Sequence, residues 1–292
     1  MNKNDVYQDV TNRIIDALEN GLNGKFELPW HGVTQLPENA LTEKRYKGVN
    51  VPLLWAYQMS EGYQSGIWAT YKQWQERGAQ VKKGEKSAQI VFWKMLQQEP
   101  SQDNEEQSQR VFARWSRVFN ADQVEGFELD ADFNPSDIAS IGAADALIDA
   151  SGADIRHGEI KAYYSPSGDF INMPSPERFK DTADSTATEN YYSTLLHELT
   201  HWTGAKHRLD RFPSDKFDKS EYAFEELVAE LGAAMACAST GVEALPREDH
   251  AQYIACWLKA LKDDKKFIFS AASHAQKAVD FLYSCSEIRE AA

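Results

Sequence analysis

The chain has only three cysteines, Cys237, Cys256 and Cys285, set far apart in apolar, helix-like stretches. That scarcity excludes a disulfide framework and points to buried, reduced thiols in a cytosolic protein. No apolar run approaches the ~20 residues that a membrane span needs, so no membrane partner is expected. The opening MNKNDVYQDV carries no apolar stretch of the secretory type, and the expected location is the cytoplasm. Positive charge is also short: 31 Lys and Arg stand against 45 Asp and Glu, a net charge of −14. As a total, this argues against a nucleic-acid binder, because phosphate contacts need local positive charge. What is present, 42% hydrophobic and 12% aromatic residues, suits a folded globular protein. A length of 292 residues suits one large domain or two ordinary ones.

The charge is unevenly spread. Residues 1–97 hold 12 basic against 10 acidic residues, and residues 44–94 hold nine against three. The remainder holds 19 against 35. Six of the eight tryptophans lie before residue 120. An asymmetry of this kind points to a nucleic-acid-facing segment in the front half.

Helical spacing of Val6, Val10, Ile14 and Leu18 predicts an amphipathic helix over residues 5–20. Asn50 is expected to cap VPLLWAYQMSEG, and Thr70 to cap YKQWQERG. Two β-rich runs, SAQIVFWKML and RVFARWSRVFN, flank a polar stretch read as a long hairpin loop. Composition shifts at the acidic ELDADFNPSD, which divides the chain into residues 1–128 and 129–292. A helix near 137–150, a hairpin through KAYYSPSGDFINMP and four helical stretches follow. The expected class is therefore α+β with two domains.

The strongest chemical signal is HELTH, His197 to His201, within a helical run. Histidines four apart share a helix face and can hold one divalent ion. Glu198 lies beside that face, where a carboxylate can act as general base toward a metal-bound water. Such zincin sites need a third protein ligand. His207 offers one, because HELTHWTGAKH fits the long form of the motif. That form also expects a methionine turn, and the following methionine, Met235, sits in helix-favouring AAMACA. Glu226 in EYAFEELVAELGAA offers the other and is preferred, with Glu230 one turn on suited to holding a ligating histidine. Glu225 is expected to face about 100° away, toward solvent. GDFINMP reads as a sheet edge onto which an extended substrate could add, or equally as a core strand, and the sequence does not separate the two. Tyr191, Tyr192 and Tyr222 are candidates for polarising a scissile carbonyl, although packing explains each as well.

In the front half, Lys and Arg interleave with Trp and Tyr, the combination that holds single strands by stacking and by phosphate contact. Tryptophans forming the core beneath solvated lysines fit the composition as well; of the two readings, Trp55, beside Leu53 and Leu54, suits core and Trp74, beside Lys72 and Gln73, suits stacking. VKKGEK reads as a basic turn suited to a phosphate backbone.

Taken together, LPENALTEKRYKGVN, GYQSGIWATYKQWQERGAQVKKGEK, VFNADQVEG, FINMPSPERF, YYSTLLHELTHWTG, RLDR and YAFEELVAELGAA resemble the plasmid antirestriction family ArdC. The front also resembles the N-terminal part of conjugative primases of the TraC type. The resemblance implies an N-terminal single-stranded-DNA-binding domain and a C-terminal zincin-like metallopeptidase domain. It further implies protection of incoming plasmid DNA from host restriction during conjugation. Carried onto this chain, it makes His197, His201 and Glu226 the metal ligands and Glu198 the base. Lys44, Arg45, Tyr46, Lys47, Trp68, Tyr71, Lys72, Gln73, Trp74, Lys82, Lys83 and Lys86 would line the DNA surface. The chain departs from the family pattern at Thr42-Glu43-Lys44, where Thr-Gly-Lys is common. The implied partners are single-stranded DNA, double-stranded DNA more weakly, and a protein substrate such as a restriction-system component. The ligand set suits zinc first, with manganese or another divalent ion also compatible. Two alternatives stand beside this reading. One is a DNA-binding protector with a structural or inactive metal site; the other is a single-strand-dependent protease acting on DNA-bound proteins.

Overall fold

The computed structural model describes residues 5–22, 28, 30, 35–96, 110–127, 137–182, 185–212, 218–243 and 251–290. The polar stretch after SAQIVFWKML and most of the expected boundary at ELDADFNPSD lie outside the described residues. The class is α+β, as expected.

The first helix, α1 (Val6–Leu22), buries Val10, Ile14 and Leu18, the stripe its spacing predicts. It lies against α2 (Asn50–Glu61), which ends on Gly62 at φ 71°, a left-handed cap that favours glycine. Asn50 does not cap this helix. Its side-chain amide instead donates to the Val91 carbonyl and accepts from the Val91 N–H, both at 2.8 Å. That pair pins the edge of a four-stranded sheet ordered β1 (Glu38–Asn39), β2 (Ile67–Ala69), β5 (Arg110–Asn120), β4 (Ala88–Leu96). The β4–β5 pair is antiparallel from Ala88↔Val118 to Leu96↔Arg110, as the two β-rich runs predict. Between β2 and β4 come α3 (Tyr71–Glu76) and β3 (Gln80–Val81), the latter paired with β6 (Val124–Glu125). Thr70 and Gln73 form the reciprocal capping box that starts α3.

The rear opens with α4 (Asp137–Ser151) and a three-stranded sheet ordered β7 (Asp154–His157), β9 (Phe170–Met173), β8 (Tyr163–Ser165). GDFINMP, whose sequence fits edge or core, is therefore central, parallel to β7 and antiparallel to β8. The edge beside the motif helix is β8. Helices α5 (Ala187–Thr203), α6 (Lys219–Thr240), α7 (Ala251–Asp263) and α8 (Phe267–Glu290) complete the chain. No helix among the described residues is long and apolar enough to cross a membrane.

One hydrophobic cluster joins Val10, Ile14, Leu18, Trp30 and Trp55 of the front with Leu196, Leu199, Leu231, Trp257 and Leu282 of the rear. Two smaller clusters surround Trp74 and Trp68. The cysteines differ from expectation: Cys237 is buried, Cys285 is partly buried, and Cys256 is exposed on α7.

Candidate metal centre

The site is built where α5 crosses α6. Thr186 and Glu189 form a capping box that starts α5, and Gly204 ends it. Close approach of the two helices needs Gly232: a Cβ there would meet Thr200 Cγ2 at 2.5 Å. The crossing brings His197 and His201 of α5 against Glu226 of α6. His197 Nε2 and His201 Nε2 lie 3.6 and 3.7 Å from the two Glu226 oxygens and 3.2 Å from each other. One ligand atom from each of the three residues falls within 4.8 Å of the others.

Burying two imidazoles and a carboxylate around a common point is costly unless a charge is matched there. Burial alone would raise the Glu226 carboxyl pKa, but the His197 hydrogen bond and the charges of His201 and His197 hold it at about 2. Burial would lower the His201 pKa, yet Glu225, Glu226 and Glu198 raise it above its ordinary value. Three donors of this kind at this spacing fit a first-row divalent ion with room for water.

Partners outside the three donors orient them, and one was misjudged from the sequence. Glu225 does not face solvent; it is buried, with Oε1 3.2 Å from His201 Nδ1. It also accepts two bonds from Arg211, at 3.1 and 2.7 Å, while Arg211 donates to Thr203 Oγ1 and the Thr200 carbonyl at 2.7 Å each. The 100° offset fails as a guide because α6 is enclosed on nearly every side, so both of its acid-bearing faces are interior. Glu230, expected to hold a ligating histidine, has Oε2 3.7 Å from His197 Nδ1, beyond hydrogen-bond distance. Its other oxygen accepts from Trp30 Nε1 at 3.3 Å, which ties a front-half tryptophan to the site. His207 stands apart, exposed, with Nε2 3.2 Å from Asp169.

Glu198 is buried and accepts the Tyr164 backbone N–H at 2.9 Å, so β8 fixes the orientation of this carboxylate. A cavity of about 260 Å³ opens over the site, lined by Tyr163, Tyr164, Phe212, Tyr222 and Tyr253 with the titratable groups. Tyr222 is 45% exposed and hydrogen-bonds Glu226. Burial, then the neighbouring Glu226 charge, push its phenol pKa up, so it remains a donor across the neutral range. Tyr191 and Tyr192 are committed elsewhere, to His157 at 3.0 Å and to Asp145 at 2.6 Å.

The candidate DNA residues divide. Lys44, Arg45, Lys47, Tyr71, Lys72, Lys82, Lys83 and Lys86 are exposed. Some are engaged: Lys47 with Asp280 at 3.3 Å, Lys72 with Glu76 at 3.6 Å, and Lys82 with the Asp122 carbonyl at 2.9 Å. Trp68 and Trp74 are corrections, since both are 0% exposed and neither offers a ring face to a base. Trp74 instead donates to the Phe119 carbonyl at 3.0 Å and meets Phe127 edge-on. Gln73 serves the α3 cap and bonds Asn39 at 3.2 Å, and half-buried Tyr46 accepts from the same Asn39 side chain. At Glu43 φ is 55°, in the left-handed region that glycine adopts without strain.

Two histidines and a glutamate lie beneath the cavity on a helix pair beside a small sheet, and residues 142–274, which carry them, match the family model of zincin-like metallopeptidases. Residues 4–119 match the N-terminal domain of anti-restriction factor ArdC. Crystal structures of the antirestriction protein ArdC from plasmid R388, one metal-free and one Mn(II)-bound, are similar along the whole chain. They share 40% and 41% identity with TM-scores of 0.78 and 0.76, covering 97% of this chain and 98% of theirs. The chain belongs to the ArdC antirestriction family. The uncharacterized protein y4eC of Sinorhizobium fredii (strain NBRC 101917 / NGR234) is 42% identical over 289 residues, which is 92% of its length. DNA primase TraC of Escherichia coli is 35% identical over 300 residues. That alignment takes in 96% of this chain but 27% of the primase, so the likeness to TraC runs through both halves rather than the front alone.

Proposed function

We propose that the protein shields incoming plasmid DNA from restriction during conjugation. In this reading residues 1–128 bind single-stranded DNA, more tightly than double-stranded DNA, and residues 129–292 form a metal-dependent peptidase. The observation that carries the peptidase reading is the convergence of His197, His201 and Glu226 within 4.8 Å, with Glu198 oriented beside them.

A divalent ion, zinc before manganese, would be held by those three side chains and would lower the pKa of a bound water toward ~7. Glu198 would serve as the general base toward that water and would return the proton to the leaving amine. Tyr164 keeps the Glu198 carboxylate turned toward the cavity. Tyr222 presents a phenolic donor at the cavity mouth, where a peptide carbonyl would develop charge. The substrate class is a protein segment in extended form, such as part of a restriction system met in the recipient cytoplasm.

Glu198→Gln separates chemistry from binding. Metal content should be retained and peptide hydrolysis lost, with transfer of unmodified plasmid into a restricting host reduced. Protection that survives Glu198→Gln would assign the activity to DNA binding alone. Cleavage of DNA-bound proteins only when single strands are present would assign it to a strand-dependent protease.

A further inference from the structure

With Trp68 and Trp74 buried, a single-strand-binding front needs another aromatic face. Among the front-half rings whose side chains are described, Phe92 is 60% exposed and Tyr71 44%. Tyr71 already accepts a bond from Gln80 at 2.8 Å and meets Phe119 edge-on. Phe92 is the more open ring, and its placement in β4 is regular. Residues two and four positions back, Ile90 and Ala88, are buried with Val118, Leu54 and Trp68, so this face of the hairpin is core at one end. One step beyond that core the face emerges from cover, and the residue standing there is a large apolar ring rather than a polar side chain.

Directly opposite Phe92 in the antiparallel register is Arg114, also exposed. Opposed residues of such a pair share a face with Cβ atoms about 4.5–5.5 Å apart. No carboxylate among the described residues pairs with Arg114, whereas Lys47, Lys72 and Arg77 each face an acid. The backbone beneath is held in place by the two Asn50 bonds to Val91, the neighbour of Phe92. The geometry points to Phe92 and Arg114 as a stacking platform for single-stranded nucleic acid, with a base on the ring and its phosphate on the guanidinium. An exposed phenylalanine opposite an exposed arginine on a fixed strand suits this ligand, because every base has a π-face and every nucleotide carries one negative charge. The inference rests on the reading of the front half as a single-strand binder and adds where the strand lies.

The test uses the full-length protein and a fluorescein-labelled oligothymidylate, followed by anisotropy between 50 and 200 mM salt. Phe92→Ala should weaken binding roughly 5- to 150-fold, the span expected for one stacked base. Phe92→Trp should retain it. On an oligonucleotide with abasic residues the wild type and Phe92→Ala should bind equally. Arg114→Gln should reduce the salt slope by about 0.7. Arg117→Gln, the same charge change on the opposite face of β5, should leave affinity within twofold. Equal losses for Arg114→Gln and Arg117→Gln, or an unchanged affinity for Phe92→Ala, would overturn the platform while leaving the front half a DNA binder. A wild type without affinity for the oligonucleotide would remove both.

Discussion

Glu225→Gln perturbs the support of the metal site while leaving its three donor side chains in the sequence. In the native chain Arg211 is almost fully enclosed, its side chain 2% exposed, and its charge is matched by the two bonds to Glu225. The substitution keeps the shape but leaves the guanidinium with neutral acceptors, Thr203 Oγ1 and the Thr200 carbonyl. Removing one partner of a buried ion pair costs about 3–5 kcal/mol. At about 2–4 °C per kcal/mol for a chain of this size class, the melting temperature should fall by roughly 6–20 °C. His201 also loses the carboxylate that orients its Nδ1–H. Metal affinity should therefore drop about 10- to 100-fold. Thermal unfolding in chelator reads the first effect, and calorimetric titration of Mn²⁺ or Zn²⁺ reads the second. Adding Arg211→Met to Glu225→Gln should recover about 0.5–3 kcal/mol relative to additivity, because the stranded charge is gone. A Glu225→Gln protein that melts within about 2 °C of wild type and binds metal as tightly would refute the coupling of Arg211, Glu225 and His201.

Gly232→Ala should destabilise by about 1–3 kcal/mol, because its Cβ would sit 2.5 Å from Thr200 Cγ2 at the α5–α6 crossing. Thr200→Ala in the same chain should recover part of that loss in denaturant unfolding. Trp74→Ala should cost about 3–5 kcal/mol of stability, since the ring fills a closed core. In urea melts this would separate it from Tyr71→Ala, which should be nearly neutral. The pH response should differ between the metal-free and metal-loaded protein. Glu225 and Glu226 are held below their ordinary pKa values, so their stabilisation is complete above ~4.3 and is lost as pH falls toward the folded values, about 2 for Glu226. His201 is raised, so its contribution is full below ~6.5 and disappears as pH rises through the folded value. Melting temperatures in chelator should therefore decline on the alkaline side. With Zn²⁺ or Mn²⁺ present they should rise there, because the ion replaces the histidine proton.

The HELTH spacing is readable because i, i+4 geometry holds whatever surrounds a helix, and the same rule pairs Glu226 with Glu230. Glu225 escaped because its orientation depends on what lies around α6, and a one-dimensional pattern assumes that an offset face meets water. Arg211 lies within RLDR, but nothing in that run assigns its role, because its partners Glu225 and Thr200 are 14 and 11 residues away. Asn50 shows a related failure, since its residue type suits a cap yet a long-range bond to Val91 claims its side chain. Tryptophans beside lysines read equally well as core or as stacking surface, and only burial separates the two; Trp68 and Trp74 turned out to be core. Edge and core were inseparable for GDFINMP because β7, a short and mostly polar run that pairs in parallel with β9, gives little periodic signal.

The central claim is that the histidine pair on α5 and the carboxylate on α6 hold one divalent ion. Titrating Zn²⁺ and Mn²⁺ into chelator-treated full-length protein, Glu226→Ala and His207→Ala tests it most directly. One ion per chain is predicted, with affinity reduced at least about 100-fold by Glu226→Ala and unchanged by His207→Ala. Affinity that survives Glu226→Ala, or that collapses with His207→Ala, would contradict the account.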